Sequence, residues 1–348
     1  MNYPKVELHC HMDGAIPARL FAKYCREDGL IPEGMSDEQW IKSHVMSDTM
    51  TLGECMGLFG ILTGILNTKE RLEETAFELL KDMYESGIKL VELRFSPQSH
   101  LSDTLSMEDS IEAVLRGRQR VLKLYPDMVC GFLICMMNLS LNLGTVKNNF
   151  RTVELAAKYK GQGVVGIDLA GNETGTPIEN YEPQFELARK LGVKYTIHAG
   201  ESGPASNVKF AIDQQAPRIG HGIHSIYDDK VVDELVDKGI LLEISVTSNY
   251  YARCVDSIAE HPIRKLWDRG VMVSINTDDP FLMDISLASE YEVIKKNFGF
   301  TDRELILSNL YAARASFCEG KEKIIQELVT ALKQCDWLNK KYFIKWFQ

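Results

Sequence analysis

The feature that most constrains this chain is a unit that recurs along it: a helical pattern of apolar residues, a break, then a short apolar run rich in Val, Ile and Leu. The runs fall at residues 6–11, 90–95, 129–136, 164–169, 195–198, 218–221, 241–245 and 271–276. Helical periodicity fills much of the space between them, at 69–85, 107–123, 150–159 and 181–191. Short apolar strands alternating with helices predict a parallel sheet, and eight such units predict an α/β fold of the closed (β/α)8 TIM-barrel kind. A doubly wound dinucleotide-binding sheet is disfavoured, because no GxGxxG follows the first run.

One interruption stands out. Residues 1–348 are expected to form a single barrel domain, with a helical lid insertion over about 17–85 and further helices outside the barrel over 301–348. Within the insertion, 17–27 opens on Pro17, and 36–43 opens on Ser36 with Gln39 three residues later, a capping pattern. The stretch 51–66 is different in kind. Leu52, Cys55, Met56, Leu58, Phe59, Ile61, Leu62, Ile65 and Leu66 make it apolar nearly all round, while Gly53, Gly57, Gly60 and Gly64 loosen it. Such a helix is either core or a movable cover over an apolar ligand, and in the second case Phe59 is the side chain expected to meet that ligand.

Composition narrows the partners. A formal net charge of -10 argues against nucleic acid, whose phosphates want clustered Lys and Arg, and permits an uncharged small substrate. No window approaches the roughly 18 uninterrupted apolar residues of a membrane span. The opening Met-Asn-Tyr-Pro-Lys lacks a signal-peptide layout. The eight cysteines are scattered without a CxxC, so they are expected to be mostly buried thiols in a reducing cytoplasm. The oligomeric state is left open.

In a barrel of this type reactive groups gather at the C-terminal ends of the strands. His9 and His11 end the first strand, and alternation puts both on one face with Cys10 on the other. Gly171 follows the fourth strand, His198 and Glu201 end the fifth, His221 ends the sixth, and Asp278 and Asp279 follow the eighth. All fall on one rim. Imidazoles with one carboxylate suit zinc, with His9, His11, His198 and Asp278 as ligands, one ion per chain. The ligands lie far apart in sequence, so barrel closure and not a local finger must assemble them, which predicts a catalytic ion with an open position for water. Such an ion lowers the pKa of water from about 15.7 to near 7.

Five stretches carry a resemblance to a known family: His9-Cys10-His11-Met12-Asp13-Gly14-Ala15, Asp168-Leu169-Ala170-Gly171-Asn172-Glu173, Thr196-Ile197-His198-Ala199-Gly200-Glu201, Arg218-Ile219-Gly220-His221-Gly222 and Ser274-Ile275-Asn276-Thr277-Asp278-Asp279-Pro280. In this order, over nearly the whole chain, they resemble the adenosine deaminases of the metal-dependent barrel type. The resemblance implies hydrolytic removal of the 6-amino group of adenosine, giving inosine and ammonia, within purine salvage. It implies the same four zinc ligands, with His11 also beside the substrate. Glu201 would protonate purine N1, and His221 would orient the attacking water and help manage its proton. Asp279 would meet N7, Gly171 would offer its backbone N–H to N3, and Asp13 would bind the ribose 5′-hydroxyl. His44, His100, His224 and His261 match no functional position and are read as surface or structural.

Two departures are visible. Where the family commonly has Cys-Pro after strand seven, this chain has Ser245-Val246-Thr247-Ser248-Asn249, and Asn172 replaces a usual acid. Three rival readings stand beside this one. Adenine deaminases share the metal chemistry but typically carry Glu at the position of Asp13. Phosphotriesterase-like enzymes use a modified Lys on strand four, where this chain has Ile167-Asp168-Leu169. A purine-binding barrel without activity should have lost ligands, and none is lost.

Overall fold

The computed structural model describes residues 3–47, 50, 52–139 and 141–335. Eight parallel strands form the interior: β1 (Lys5–His11), β2 (Ile88–Phe95), β3 (Val129–Asn138), β4 (Val164–Gly171), β5 (His198–Ala199), β6 (Arg218–His221), β7 (Leu241–Ile244) and β8 (Met272–Ile275). They make two four-stranded sheets, β1-β2-β3-β4 and β5-β6-β7-β8. Backbone hydrogen bonds join both seams. At one, Ile167 N donates to Lys194 O over 2.9 Å and Thr196 N to Ile167 O over 3.1 Å; at the other, His11 N donates to Asp278 O over 2.8 Å and Asp278 N to His9 O over 2.9 Å. The eight strands therefore close on themselves, as the repeat predicts.

The second seam also builds the site. After Ile275 the chain leaves the β8 ladder, and Asp278 adopts a left-handed φ of 64° as it returns to pair beside Cys10. That return, unusual for a non-glycine residue, sets Asp278 between the two histidines that end β1. The fifth strand shows the converse economy. Residues 195–197, expected as strand, are held to β4 by a single bridge at Tyr195, and only His198–Ala199 form a ladder, with β6.

Helices α1 (Ala18–Glu27), α2 (Asp37–Ser43), α3 (Leu52–Ile65) and α4 (Lys69–Glu85) separate β1 from β2, and α5 (Met107–Leu124) precedes β3. Next come α6 (Leu143–Tyr159), α7 (Glu182–Leu191), α8 (Ala205–Asp213), α9 (Asp229–Lys238), α10 (Val246–Tyr251) and α11 (Ile263–Asp268) between successive strands, and α12 (Pro280–Met283), α13 (Leu287–Phe298), α14 (Asp302–Ala315) and α15 (Glu322–Gln334) after β8. The predicted capping box at Ser36 is formed with Gln39. Helix α6 begins seven residues before the predicted start at 150, because the Asn142 side chain accepts from Thr145 N over 2.9 Å and caps the longer helix.

Helix α3 packs on the turn Asp13–Ala15, on the turn Pro97–His100 and on α1. Thr51 and residues 336–348 lie outside the described residues, as do the side chains of 52–56, so the apolar character expected all round α3 is seen only from Gly57 onward. There Leu62 and Ile65 are buried while Gly57, Gly60 and Gly64 line an exposed edge with nothing among the described residues packed on them. Among the described residues no helix is long and apolar enough to cross a membrane.

Candidate active site

Parallel barrel strands are covered on both faces, so a charged residue within them must be paired. Here Glu7, His9, Glu92, Arg94, Asp168, Arg218 and Glu243 are all fully buried. Arg94 lies at the centre. Its Nη1 donates to Asp168 Oδ2 over 2.8 Å, and its Nη2 to Glu243 Oε2 over 2.7 Å and to Leu8 O over 2.6 Å. Arg218 pairs with Glu92 and, through Nε at 2.7 Å, with Glu243 Oε1.

These carboxylates orient the histidines. Glu243 Oε2 lies 2.9 Å from His9 Nδ1, and Asp168 Oδ2 lies 2.9 Å from His198 Nδ1. A carboxylate on Nδ1 fixes the proton there and leaves the Nε2 lone pair facing inward, an arrangement typical of metal-ligating imidazoles. The Nε2 atoms converge: those of His11 and His198 are 3.4 Å apart, and those of His9 and His11 lie 3.3 and 3.4 Å from Asp278 Oδ1. Every pair in this four-atom group falls within 4.8 Å, and the buried His9 Nε2 has no hydrogen-bond partner among the described residues. Burial pushes His11 down to about 3, so its ring is neutral and free to ligate. Burial pushes Glu7 up to about 8, so it holds its proton, and the two guanidinium groups then face three carboxylates; with Asp278 this leaves two negative charges to set against a divalent ion. The donor set, the orphaned Nε2 and the charge balance all fit such an ion.

The other rim residues stand beside this group. Glu201 Oε1 lies 3.7 Å from His221 Nε2, which is 3.9 Å from Asp278 Oδ2. Burial, and then the Asp278 carboxylate, push Glu201 up to about 8, so it holds its proton at neutral pH. Asp279 is raised well above the carboxylate range by burial and by Asp278, Asp13 and Glu201. Its Oδ1 explains Gly14, where a Cβ would come within 1.8 Å of it. Asp13 Oδ1 approaches His100 Nε2 to 3.0 Å, although the two are not aligned for a hydrogen bond. The other ring nitrogen, His100 Nδ1, donates to Leu66 O at the end of the α3 segment over 3.1 Å.

Residues 4–332 match the adenosine deaminase family. The chain belongs to the adenosine deaminase family. An adenosine deaminase of Clostridium botulinum (strain Langeland) is 36% identical over 93% of this chain and 96% of its own. Among solved structures, an adenine deaminase from Arthrobacter aurescens superposes with a TM-score of 0.83 at 23% identity, over 95% of this chain and 99% of that one. An N6-methyl-AMP deaminase from Arabidopsis thaliana gives 0.80 at 25% identity, over 96% and 97%. The protein is thus a metal-dependent hydrolase of the C–N bond in a cyclic amidine.

Several residues around this site are given no role by the sequence motifs. Glu173 is buried and accepts from the backbone N–H groups of Gly200, Glu201 (2.9 Å), Ser202 (3.0 Å) and Gly203 (2.9 Å) and from Asn207 Nδ2 (2.9 Å). One carboxylate thereby organises the whole loop that presents Glu201. The segment that departs from the family pattern also enters the site: Ser248 Oγ donates to Asp278 Oδ2 over 2.6 Å, and Asn249 reaches both His221 and Glu201. The other departure, Asn172, is exposed and binds Thr174 N and Oγ1 over 3.0 and 2.9 Å.

Gly171 and Phe59 are not in the ligand cluster. Gly171 is exposed at the end of β4, and its glycine identity has a backbone cause: φ is +113° and a Cβ would stand 2.7 Å from Asn138 O. Phe59 is half-buried on α3. Of the histidines read as surface or structural none is exposed. His44, His100 and His261 are buried, and His224 bridges Gly203 O and Cys254 O over 2.7 and 3.3 Å.

Proposed function

We infer that the protein deaminates adenosine and 2′-deoxyadenosine to inosine and 2′-deoxyinosine. The observation that carries this reading is the proton-bearing Glu201 carboxyl set beside the four-ligand group, with Asp13 on the same rim. His9, His11, His198 and Asp278 would hold zinc, which when bound acidifies water near neutral pH. Addition of an oxygen to C6 pushes electrons onto N1, and Glu201 supplies the proton N1 then needs. N7 is an acceptor, so it wants a donor, and a protonated Asp279 is one. Gly171 would offer its N–H to N3. His221 would hold the incoming oxygen in line with C6.

Asp13 sets the far end of the substrate. A 5′-hydroxyl donates to its carboxylate in a charge-assisted bond, whereas a 5′-phosphate brings like charge against it. The Clostridium relative carries the name of this activity, and the adenine and N6-methyl-AMP deaminases among the structural neighbours are the alternatives to test. The expected order of kcat/KM is adenosine far above 5′-deoxyadenosine, by up to about 10⁴ for a site that reads a hydroxyl, with AMP and adenine poor. In Asp13→Ala the gap between adenosine and 5′-deoxyadenosine should collapse. An unchanged gap in the variant would show that Asp13 does not read the 5′ end.

Helix α3 would cover the bound nucleoside and exclude water, with Phe59 against the ligand. Phe59→Ala should then raise KM for adenosine while lowering Tm little, and a large fall in Tm with unchanged kinetics would assign Phe59 to the core instead.

A further inference from the structure

A chain of buried hydrogen bonds runs into His221 from behind, and its polarity can be read from one end. Ile263 N lies 3.1 Å from His261 Nδ1, and a backbone N–H can only donate, so His261 Nδ1 accepts. Burial pushes His261 down to about 3, so the ring is neutral and its single proton sits on Nε2. That Nε2 lies 3.1 Å from Asn249 Oδ1 and must donate to it. The Asn249 amide is thereby oriented, with its Nδ2 on the far side, 3.0 Å from His221 Nδ1 and 3.4 Å from Glu201 Oε1. His221 Nδ1 therefore accepts. Asn249 is fully buried, and His261 and His221 nearly so, so no exchange with bulk water offers the chain another polarity.

We propose that Asn249 and His261 are positioning residues that lock His221 in the tautomer with its proton on Nε2, so that His221 serves the reaction as a hydrogen-bond donor and not as a proton acceptor. This deepens the deaminase reading above and rests on it for its kinetic part. A neutral imidazole with Nδ1 engaged as acceptor and Nε2 protonated has no free lone pair facing the site. It can hold the oxygen that adds to C6 by donating to it, while the proton released by that oxygen must pass to a carboxylate. Asp278 Oδ2, 3.9 Å from His221 Nε2, is the placed candidate. The polarity also differs from that of the ligand histidines. His9 and His198 meet carboxylates at Nδ1, which fixes their proton there, whereas His221 meets an amide N–H. The same ring is thus prepared in opposite senses for ligation and for donation.

Long-range 1H–15N correlation on the zinc-loaded, 15N-histidine-labelled enzyme reads each ring's tautomer directly, with His221 assigned by the signals missing in His221→Gln. The expected result is a proton on Nε2 and a bare Nδ1 for both His221 and His261. A proton on His221 Nδ1 would overturn the proposal whatever the enzyme's activity, and a neutron map of the wild-type enzyme gives the same reading without any variant. The kinetic arm uses Asn249→Leu and His261→Leu. Each should lower kcat by about 10–100-fold, the usual effect of losing an outer partner, with KM and zinc content nearly unchanged, and His261→Gln should recover part of the turnover because its amide can still donate to Asn249. Equal turnover in all three variants would refute the positioning role. Failure of the wild-type enzyme to deaminate any purine would sink the functional reading while leaving the tautomer result standing.

Discussion

Glu201→Gln is expected to bind zinc as the native enzyme does and to lose about 10²–10⁴-fold in kcat, the usual contribution of a general acid. Gln keeps the size of the side chain. The backbone N–H of residue 201 would still donate to Glu173, so the loop geometry should survive. Only the transferable proton is removed. Burial and the Asp278 carboxylate hold Glu201 in its protonated form up to about pH 8. Since the protonated form is the working one, native turnover should fall as pH rises past the point where Glu201 ionises. Metal content by atomic absorption and turnover by ammonia release separate the two effects. Near-native turnover with zinc in place would show that another group protonates N1.

The second large effect is on stability. Arg94→Leu removes the cation that lies between Asp168 and Glu243, leaving the fully buried Asp168 carboxylate with no guanidinium and Glu243 sharing that of Arg218 with Glu92. Breaking a buried pair by deleting one partner typically costs about 3–5 kcal/mol. Because the same carboxylates orient His9 and His198, zinc affinity should drop as well, by about 10–100-fold. Arg94→Lys should rescue only part of this, since a single ammonium cannot reach Asp168, Glu243 and Leu8 O in the fork that Arg94 uses. The expected observation is a strongly lowered Tm in the metal-free protein together with weaker zinc binding. A Tm and zinc affinity within error of wild type would mean that the buried network does not hold the ligand rings.

The barrel and the convergence of the donor residues were legible in the sequence because each depends on local pattern. Strand periodicity located the eight runs, and the ends of those runs located His9, His11, His198, His221 and Asp278 on one rim. The supporting network also leaves a signal in the sequence, but one that does not name its pairs. Glu92 and Arg94 on β2 and Glu243 on β7 are charges on strands of a parallel sheet, where neither face is open to water, so each had to be paired. Which partner each takes is a matter of closure around the barrel, with Arg94 and Glu243 meeting across 149 positions of sequence. Glu173 gets no role from the sequence because its partners are mostly backbone N–H groups, which leave no mark on residue identity. For a related reason the sequence does not single out His261 and Asn249. One matched no functional position and the other lay in a stretch that departs from the family pattern, and only packing shows that both lead to His221.

On the proposed reading, the four converging donors and Glu201 make a zinc-dependent deaminase of adenosine. This reading is tested most directly by incubating adenosine with metal-stripped protein before and after addition of one equivalent of zinc. The expected result is no ammonia from the stripped protein, and, once zinc is restored, ammonia and inosine released in equal amounts. Zinc-loaded protein that leaves adenosine unchanged, or that releases free adenine from it, would rule this function out.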